Sequence, residues 1–349
     1  MRYLFYLGHP AHFHLHKNII QSLQQQGHQT RILIKKKDVL EDLLRLSGWE
    51  YVNINPEGRV ENKLAFIRSL LSREMLIFKI ARSFKPHAMI GTSAEIGHVG
   101  FLLGIPSLVV TSDDTSVVPL FARLAYPMAT KVVAPKVCNV GKWEYKKLAY
   151  NGNHELAYLH PRYFTPDKSL IPELNPDEKY FLLRFAKLVA HHDSGIQGID
   201  DQLALKICMM LKPHGKVFIS SERQLSPELE PFRIAINPLH MHHALYYAQA
   251  FIGDSQTMSA EAGVLGTPFI RCNDFVGRIG YLNELENTYK LGFGIKPSNT
   301  EALLEKIKQL LQIPDLKKEF EKRKLRFLDE KEDVVKFYTN SILQNSKKS

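Results

Sequence analysis

Three observations predict an α/β protein of two doubly wound domains, each built on a parallel sheet. The chain has 349 residues, more than one ordinary core accommodates and enough for two domains of roughly 100–200 residues. Short apolar runs alternate with longer amphipathic stretches in two separate series, the pattern of β-α-β winding. Between the series, over residues 151–176, periodicity lapses and Pro161, Pro166, Pro172 and Pro176 recur, as expected of a linker.

The first series places strands at residues 3–7, 30–34, 51–54, 88–90, 108–110 and 131–134, with helices at 15–26 and 64–84 between them. Gly27 stands where a C-capping glycine belongs, and Pro86 and Pro106 precede strands. The second series places strands at 180–185, 216–220, 233–236, 250–253 and 268–270, with helices at 199–211, 240–249 and 259–266. After Thr300 the pattern is helical, ending in a stretch at 329–343. The expected division is an N-terminal domain 1–160, a C-terminal domain 161–328, and a segment 329–349 that returns to the N-terminal domain.

Composition narrows the class. With 44% hydrophobic and 23% charged residues, both cores can be filled and no disordered bias appears. No apolar run reaches the roughly 18–20 residues that cross a bilayer, and the N-terminus lacks a basic leader, so a cytoplasmic protein is expected. Cys138, Cys208 and Cys272 are an odd, widely spaced set, which suggests neither a disulfide framework nor a cysteine zinc site. The net charge of +10 favours phosphate-bearing partners: a nucleotide sugar, or an anionic membrane touched peripherally at its inner face. Nucleic acid is disfavoured because no recognisable binding module is present.

In open parallel sheets ligands bind beyond the carboxyl ends of strands, so the loops there carry the chemistry. The segment 251–268 reads as a buried strand, the turn Gly253-Asp254-Ser255, and a helix beginning at once with Gln256 and Thr257. A helix N-terminus offers free N–H groups and partial positive charge, a cradle for a diphosphate, and Glu261 two turns on is placed to accept from ribose hydroxyls. The plain alternative is that Asp254 and Ser255 cap the helix and Glu261 is a solvated face. Arg184 ends the strand at 180–185 and suits a phosphate, or a linker carboxylate such as Glu155. Arg278, beside Gly277 and Gly280, is a further candidate contact. In the first series, Thr92 to Glu95 and Ser112 to Thr115, including Asp113, follow strands and line the acceptor side. Three histidine groups invite a metal reading: His9, His12, His14 and His16; His191 and His192 with Asp193; and His240, His242 and His243. They lie on separate loops without H-E-x-x-H spacing, so no metal and no cofactor are expected.

Residues 219–271 resemble the nucleotide-binding domain of GT-B enzymes, including the UDP-N-acetylglucosamine 2-epimerases: a strand end at Ser220, Ser221 and Glu222, then 238–250, the Gly-Asp-Ser turn, and Glu261 to Pro268. The opening Gly8-His9-Pro10-Ala11-His12, with Gly27-His28 sixteen residues beyond His12, resembles GT-B glycosyltransferases that make glycolipids and muropeptides. Over its full length the chain resembles the family called domain of unknown function 354, through that opening, residues 151–161, Leu183 to Phe185, 253–258 and 271–278. These resemblances imply a GT-B-like fold of two Rossmann-like domains facing across a cleft, and a nucleotide-diphosphate sugar, UDP-linked, held mainly by the second domain with Gly8 and His9 as further contacts. They imply a metal-independent glycosyltransferase acting on a carbohydrate or lipid-linked hydroxyl in surface-polysaccharide or glycolipid metabolism. His12 is then the position of the acceptor-activating base, a role that an imidazole of ordinary pKa about 6.5 suits, with His14 next in line and Asp113 a further catalytic candidate. A 2-epimerase or hydrolase on the same nucleotide sugar is the rival, though the Gly-Thr-Arg-Pro-Glu start of the epimerases is absent. A non-catalytic nucleotide-sugar-binding protein is the third class.

Overall fold

The structure is a computed structural model that describes residues 1–35, 39–54, 63–185 and 198–347. The chain divides into two compact units, Met1–Tyr158 together with Glu332–Ser349, and Leu159–Lys331. In the first unit seven strands, β1 (Arg2–Leu7), β2 (Gln29–Ile34), β3 (Val52–Asn53), β4 (Ala88–Gly91), β5 (Ser107–Val110), β6 (Lys131–Pro135) and β7 (Lys147–Tyr150), form one parallel sheet in the order β3-β2-β1-β4-β5-β6-β7. Winding therefore runs outward from β1 to β3 and restarts on the other side at β4, which makes the β1/β4 boundary the switch point. The central strands are almost wholly buried, as a sheet covered on both faces requires. Gly91 faces Tyr6 in the register, and a Cβ there would lie 2.6 Å from the Tyr6 carbonyl oxygen.

Helices α1 (Pro10–Gln25), α2 (Leu40–Leu46), α3 (Lys63–Phe84), α4 (Ala94–Leu103) and α5 (Pro119–Ala125) connect these strands. The start of α1 lies five residues before the apolar periodicity that predicts it. Pro10 fits the first helical turn because its missing N–H is not needed there, and His9 caps it by accepting from the Ala11 N–H at 3.1 Å. A short α6 (Leu156–Leu159) follows β7 at the boundary between the units.

The second unit holds a five-stranded parallel sheet, β8 (Tyr180–Phe185), β9 (Lys216–Ser221), β10 (Phe251–Gly253), β11 (Phe269–Cys272) and β12 (Gly292–Ile295), in the order β12-β11-β10-β8-β9. Its switch point is the β8/β10 boundary. Here Gly253 pairs with Arg184, and a Cβ would lie 2.4 Å from the Arg184 carbonyl oxygen. The helices are α7 (Asp201–Leu211), α8 (Met241–Tyr247), α9 (Gln256–Leu265), α10 (Gly280–Asn283), α11 (Thr300–Leu311) and α12 (Leu316–Asp329). Leu203, Ile207 and Leu211 on one face of α7, with Ile307 and Phe320 from α11 and α12, belong to the core of this unit.

Three sequence expectations need correction. Residues 233–236 form no strand: Arg233 makes a single bridge to Ile219 before turning back to pair with Glu230, and Pro238 lies just beyond. Strand β12 was not expected because glycines disfavour strands. Gly292 and Gly294 are there because the Phe269 ring and the Glu286 carboxylate occupy the space of a Cβ, 2.4 and 2.6 Å away. The terminal helix does not begin at 329. Asp329 closes α12, and Asp333 caps a new helix, α13 (Val334–Gln344), which packs on α1 and β7 within the first unit. No helix among the described residues is long and apolar enough to cross a membrane.

Candidate functional site

In the second unit the carboxyl ends of β8, β9, β10 and β11 bring together Arg184, Ser220, Ser221 and Glu222, the turn at Asp254 and Ser255, and Asn273. Ser255 is the N-cap of α9, accepting from the Met258 N–H at 3.4 Å. The first-turn N–H groups of Gln256 and Thr257 have no carbonyl of their own helix to bond. Ser255, Gln256 and Thr257 are half-buried and reachable, whereas Asp254 is buried, with Gly198 packed so closely on its carboxylate that a Cβ would lie 2.7 Å from it. Asp254 is thus part of the frame of the turn. Its carbonyl accepts from the Asn273 amide at 2.7 Å, and Asn273 in turn accepts from the Phe275 N–H at 3.0 Å.

Behind Asn273 the fully buried Arg271 donates through Nε to Glu286 at 2.9 Å, an ion pair at the end of β11. Burial pushes the Glu286 carboxyl upward, and Arg271 opposes that shift. Residues 271–278 carry the family resemblance, but neither Arg271 nor Asn273 stands out as a site residue in the sequence. The available signal was an arginine inside an otherwise apolar strand, which in a buried sheet requires a partner.

Arg184 donates to Ser220 Oγ at 2.6 Å and pairs with the Glu222 carboxylate within the second unit. Glu222 is exposed, and such a pair contributes little to stability, which leaves Arg184 exchangeable toward a phosphate. Ser221 closes a local turn with Arg223. Glu261 is not a solvated face: it is buried and its Oε1 lies 3.0 Å from His242 Nε2. Arg278 is exposed over the Phe275 ring in the loop after β11.

In the first unit the β1/β4 switch point carries the Gly8 to His12 turn. The Gly8 N–H donates to His12 Nδ1 at 3.1 Å, so the neutral His12 ring carries its proton on Nε2. His12 and His9 are half-buried and their rings lie 5.9 Å apart. His14 is buried and stacked on Tyr158 at 5.3 Å. His28 belongs to the other end of α1, with its Nδ1 3.1 Å from the chain's amino terminus and its ring against Tyr3. The sixteen-residue spacing to His12 is the length of a helix. Asp113 lies beyond β5, two strands from β1, in a turn where its N–H donates to Thr111 Oγ1 at 3.2 Å.

Two buried polar groups flank this turn. Under β4, Arg73 donates to Glu95 at 2.9 Å and to Ser69 at 2.7 Å, while Ser93 caps α4 and donates to Glu95. Burial, then the Glu95 charge, raises the Tyr6 hydroxyl pKa. Along α1 lie the fully buried His16 and the half-buried His154. Neither His16 nitrogen has a hydrogen-bond partner, and the same holds for both amide atoms of Asn153. Burial, then His12, pushes His154 down to about 3, and burial, then His12 and His154, pushes His16 well below its ordinary value. His154 Nε2 meets the Tyr338 hydroxyl of α13 at 3.1 Å, and Asn18 of α1 donates to the Ala157 carbonyl at 2.7 Å. Residues 12–18 and 154–158, both within the first unit, thus pack against one another.

The histidines of the third group have partners of their own. His242 faces Glu261, and His243 Nδ1 accepts from the Asp167 N–H at 2.9 Å. Among the described residues no three His, Cys, Asp or Glu side chains form a metal-holding group. His191, His192 and Asp193 lie outside the described residues.

The sequence profile of the family described as protein of unknown function (DUF354) matches residues 5–288, and the chain belongs to that family. No curated protein matches the sequence. Among solved structures, the chain is similar to UDP-GlcNAc 2-epimerase from Neisseria meningitidis bound to UDP-GlcNAc, with 16% identity, TM-score 0.70, and 99% of this chain and 100% of that one covered. It is similar to UDP-GlcNAc 2-epimerase from Methanocaldococcus jannaschii, with 13% identity, TM-score 0.69 and 99% of each chain covered. It is also similar to the spinosyn forosaminyltransferase, with 14% identity, TM-score 0.67 and 99% of each chain covered. At such identities the likeness establishes the fold, which is GT-B-like.

Proposed function

We propose that this DUF354 chain is an enzyme acting on a nucleoside-diphosphate sugar, UDP-linked, and that it transfers the sugar to a hydroxyl of a carbohydrate or lipid-linked acceptor. The observation that carries the reading is the α9 N-terminus at the switch point of the second sheet. Its first residues, Ser255 to Thr257, are half-buried, and its turn is braced by the buried Asn273 and Arg271. That geometry holds a diphosphate without a metal, since the helix dipole and Arg184 offset the charge that builds on it as the glycosidic C–O bond breaks. The acceptor oxygen forms the new bond to the anomeric carbon, the diphosphate leaves with the bonding pair, and the hydroxyl proton passes to a base.

His12 serves as that base only after the Gly8 N–H is released and the ring proton moves to Nδ1. With Nδ1 accepting from the Gly8 N–H, the neutral His12 ring holds its proton on Nε2 and acts as a donor, which supports a second reading: elimination or hydrolysis of the same nucleotide sugar, with His12 stabilising a departing oxygen. His14, stacked on Tyr158, takes no part in either.

Incubation with a panel of nucleotide sugars, followed by NMR of the sugar anomeric and H2 signals, separates the readings. Turnover that requires an added hydroxyl acceptor supports transfer. Epimer or free sugar formed without acceptor supports the second reading, and no nucleotide binding in titration calorimetry removes both.

A further inference from the structure

We propose that the outer helical layer of the first unit, formed by α3, α4 and α5, is a docking face for an anionic lipid bilayer. Large apolar side chains scattered singly on a surface mean nothing, but a contiguous group marks an interaction site. Leu71 and Met75 on α3, Phe101 and Leu102 on α4, and Leu120 and Leu124 on α5 are all between 37% and 70% exposed.

One residue makes the three helices neighbours. His98 of α4 donates through Nε2 to the Leu124 carbonyl of α5 at 2.9 Å and holds Glu74 of α3 through Nδ1 at 2.5 Å. Leu71, Met75 and Lys79 follow one another at four-residue spacing, so apolar and basic side chains share one stripe of α3.

The charge of the layer decides the occupant. Lys79 and Arg82 on α3, Arg123 on α5 and Lys142 in the turn before β7 are exposed cations. The acids nearby are already engaged: Glu74 by His98, Glu95 by the buried Arg73, and Glu144 by the Val140 N–H at 2.9 Å with Lys147 at 3.6 Å. A second copy of this face would bring like charges together around the apolar centre. A bilayer with anionic head groups takes both parts, the cations at the phosphates and the apolar side chains at the acyl boundary.

The test is co-sedimentation with phosphatidylcholine vesicles, with and without about 30% phosphatidylglycerol. Wild type should sediment with the anionic vesicles and stay in solution with the neutral ones. Each cation contributes roughly fivefold, so Lys79→Glu/Arg82→Glu should lower the partition at least twentyfold. Phe101→Ser/Leu102→Ser should lower it at least tenfold, since each side chain forfeits its transfer into the acyl boundary. All four side chains are exposed, and unchanged tryptophan fluorescence and unchanged nucleoside-diphosphate binding confirm folding and keep this test separate from the enzymatic reading. Failure of wild type to bind anionic vesicles overturns the proposal, as does a serine variant that sediments like wild type. A wild-type dimer in sedimentation velocity that Phe101→Ser/Leu102→Ser converts to monomer also overturns it, because a second copy then covers the face.

Discussion

Acidification should destabilise the first unit before the carboxylates titrate, because two of its histidines, the buried His16 and the half-buried His154, are held in the neutral form. His154 is pushed down to about 3 and His16 well below 6.5, each chiefly by burial. Both folded-state values are depressed, so the unfolded chain binds protons that the folded one does not, and stability falls as pH drops below the unfolded value. With an unfolded pKa of about 6.5, lowering the pH from 6.5 to 5 costs about 2 kcal/mol for each ring, or about 3–4 kcal/mol together. The figure does not depend on how far the native values are depressed, provided both stay below about 4. Against a total stability of roughly 5–15 kcal/mol it is a large loss. Trp49 and Trp143 are the chain's two tryptophans and both lie in the first unit, so their fluorescence in urea follows that unit alone. His154→Gln should be less stable at pH 7 for lack of the Tyr338 contact, yet lose about 2 kcal/mol less than wild type between pH 6.5 and 5. His16→Leu should show the same reduced slope. Parallel pH slopes for wild type and both variants would refute the burial argument.

Other expectations follow from the same geometry. Ser255→Asp sets a negative charge against the diphosphate and should raise its Kd at least tenfold, about 1.4 kcal/mol, in calorimetry; an unchanged Kd would remove the α9 site. Arg271→Met leaves Glu286 buried without a counter-charge and should cost about 3–5 kcal/mol, with Arg271→Met/Glu286→Leu recovering most of the loss in urea titrations. His98 behaves oppositely to His154. Burial lowers its pKa, but hydrogen bonds to Glu74 and the Leu124 carbonyl outweigh that and raise it, so its contribution is complete below about 6.5 and is lost as pH rises through the folded value. His98→Phe should therefore flatten the decline in first-unit stability between pH 6.5 and 8.5. His12→Gln keeps an N–H donor near the Nε2 position and removes the base: activity surviving in Gln but not in Ala supports the donor role, and loss in both supports the base.

The two sheets were legible because parallel strands buried on both faces read as apolar runs, and Gly-Asp-Ser followed by small hydroxyl residues marked the α9 turn. What the sequence hid was partnership. Nothing near Arg184 in the chain points to Glu222, 38 residues away, and nothing near Glu261 points to His242. Polar side chains of α1 also misled. His14 and His16 look like exposed ligands in a histidine-rich run, yet helical periodicity turns both inward, one onto Tyr158 and the other against Phe5 and Tyr338.

Both units solve the switch point with the same parts, although their sequences there share little. In each, a glycine ends a strand so near its neighbour's backbone that a Cβ would collide, Gly91 on Tyr6 and Gly253 on Arg184. Each then begins a serine-capped helix, at Ser93 and at Ser255. Behind each cap lies a buried arginine–glutamate pair, Arg73 with Glu95 and Arg271 with Glu286. A buried ion pair is poor evidence of stability, since desolvation offsets its attraction, so energy alone does not account for its presence twice. Position does. In the second unit Arg271 reaches the turn through Asn273, and in the first Glu95 receives the capping Ser93 directly. The difference has a chemical consequence. At the α9 turn the buried Glu286 stands behind Arg271 and Asn273, whereas at the α4 turn the Glu95 carboxylate bonds the capping Ser93 itself, a negative charge that works against an anion at that cap.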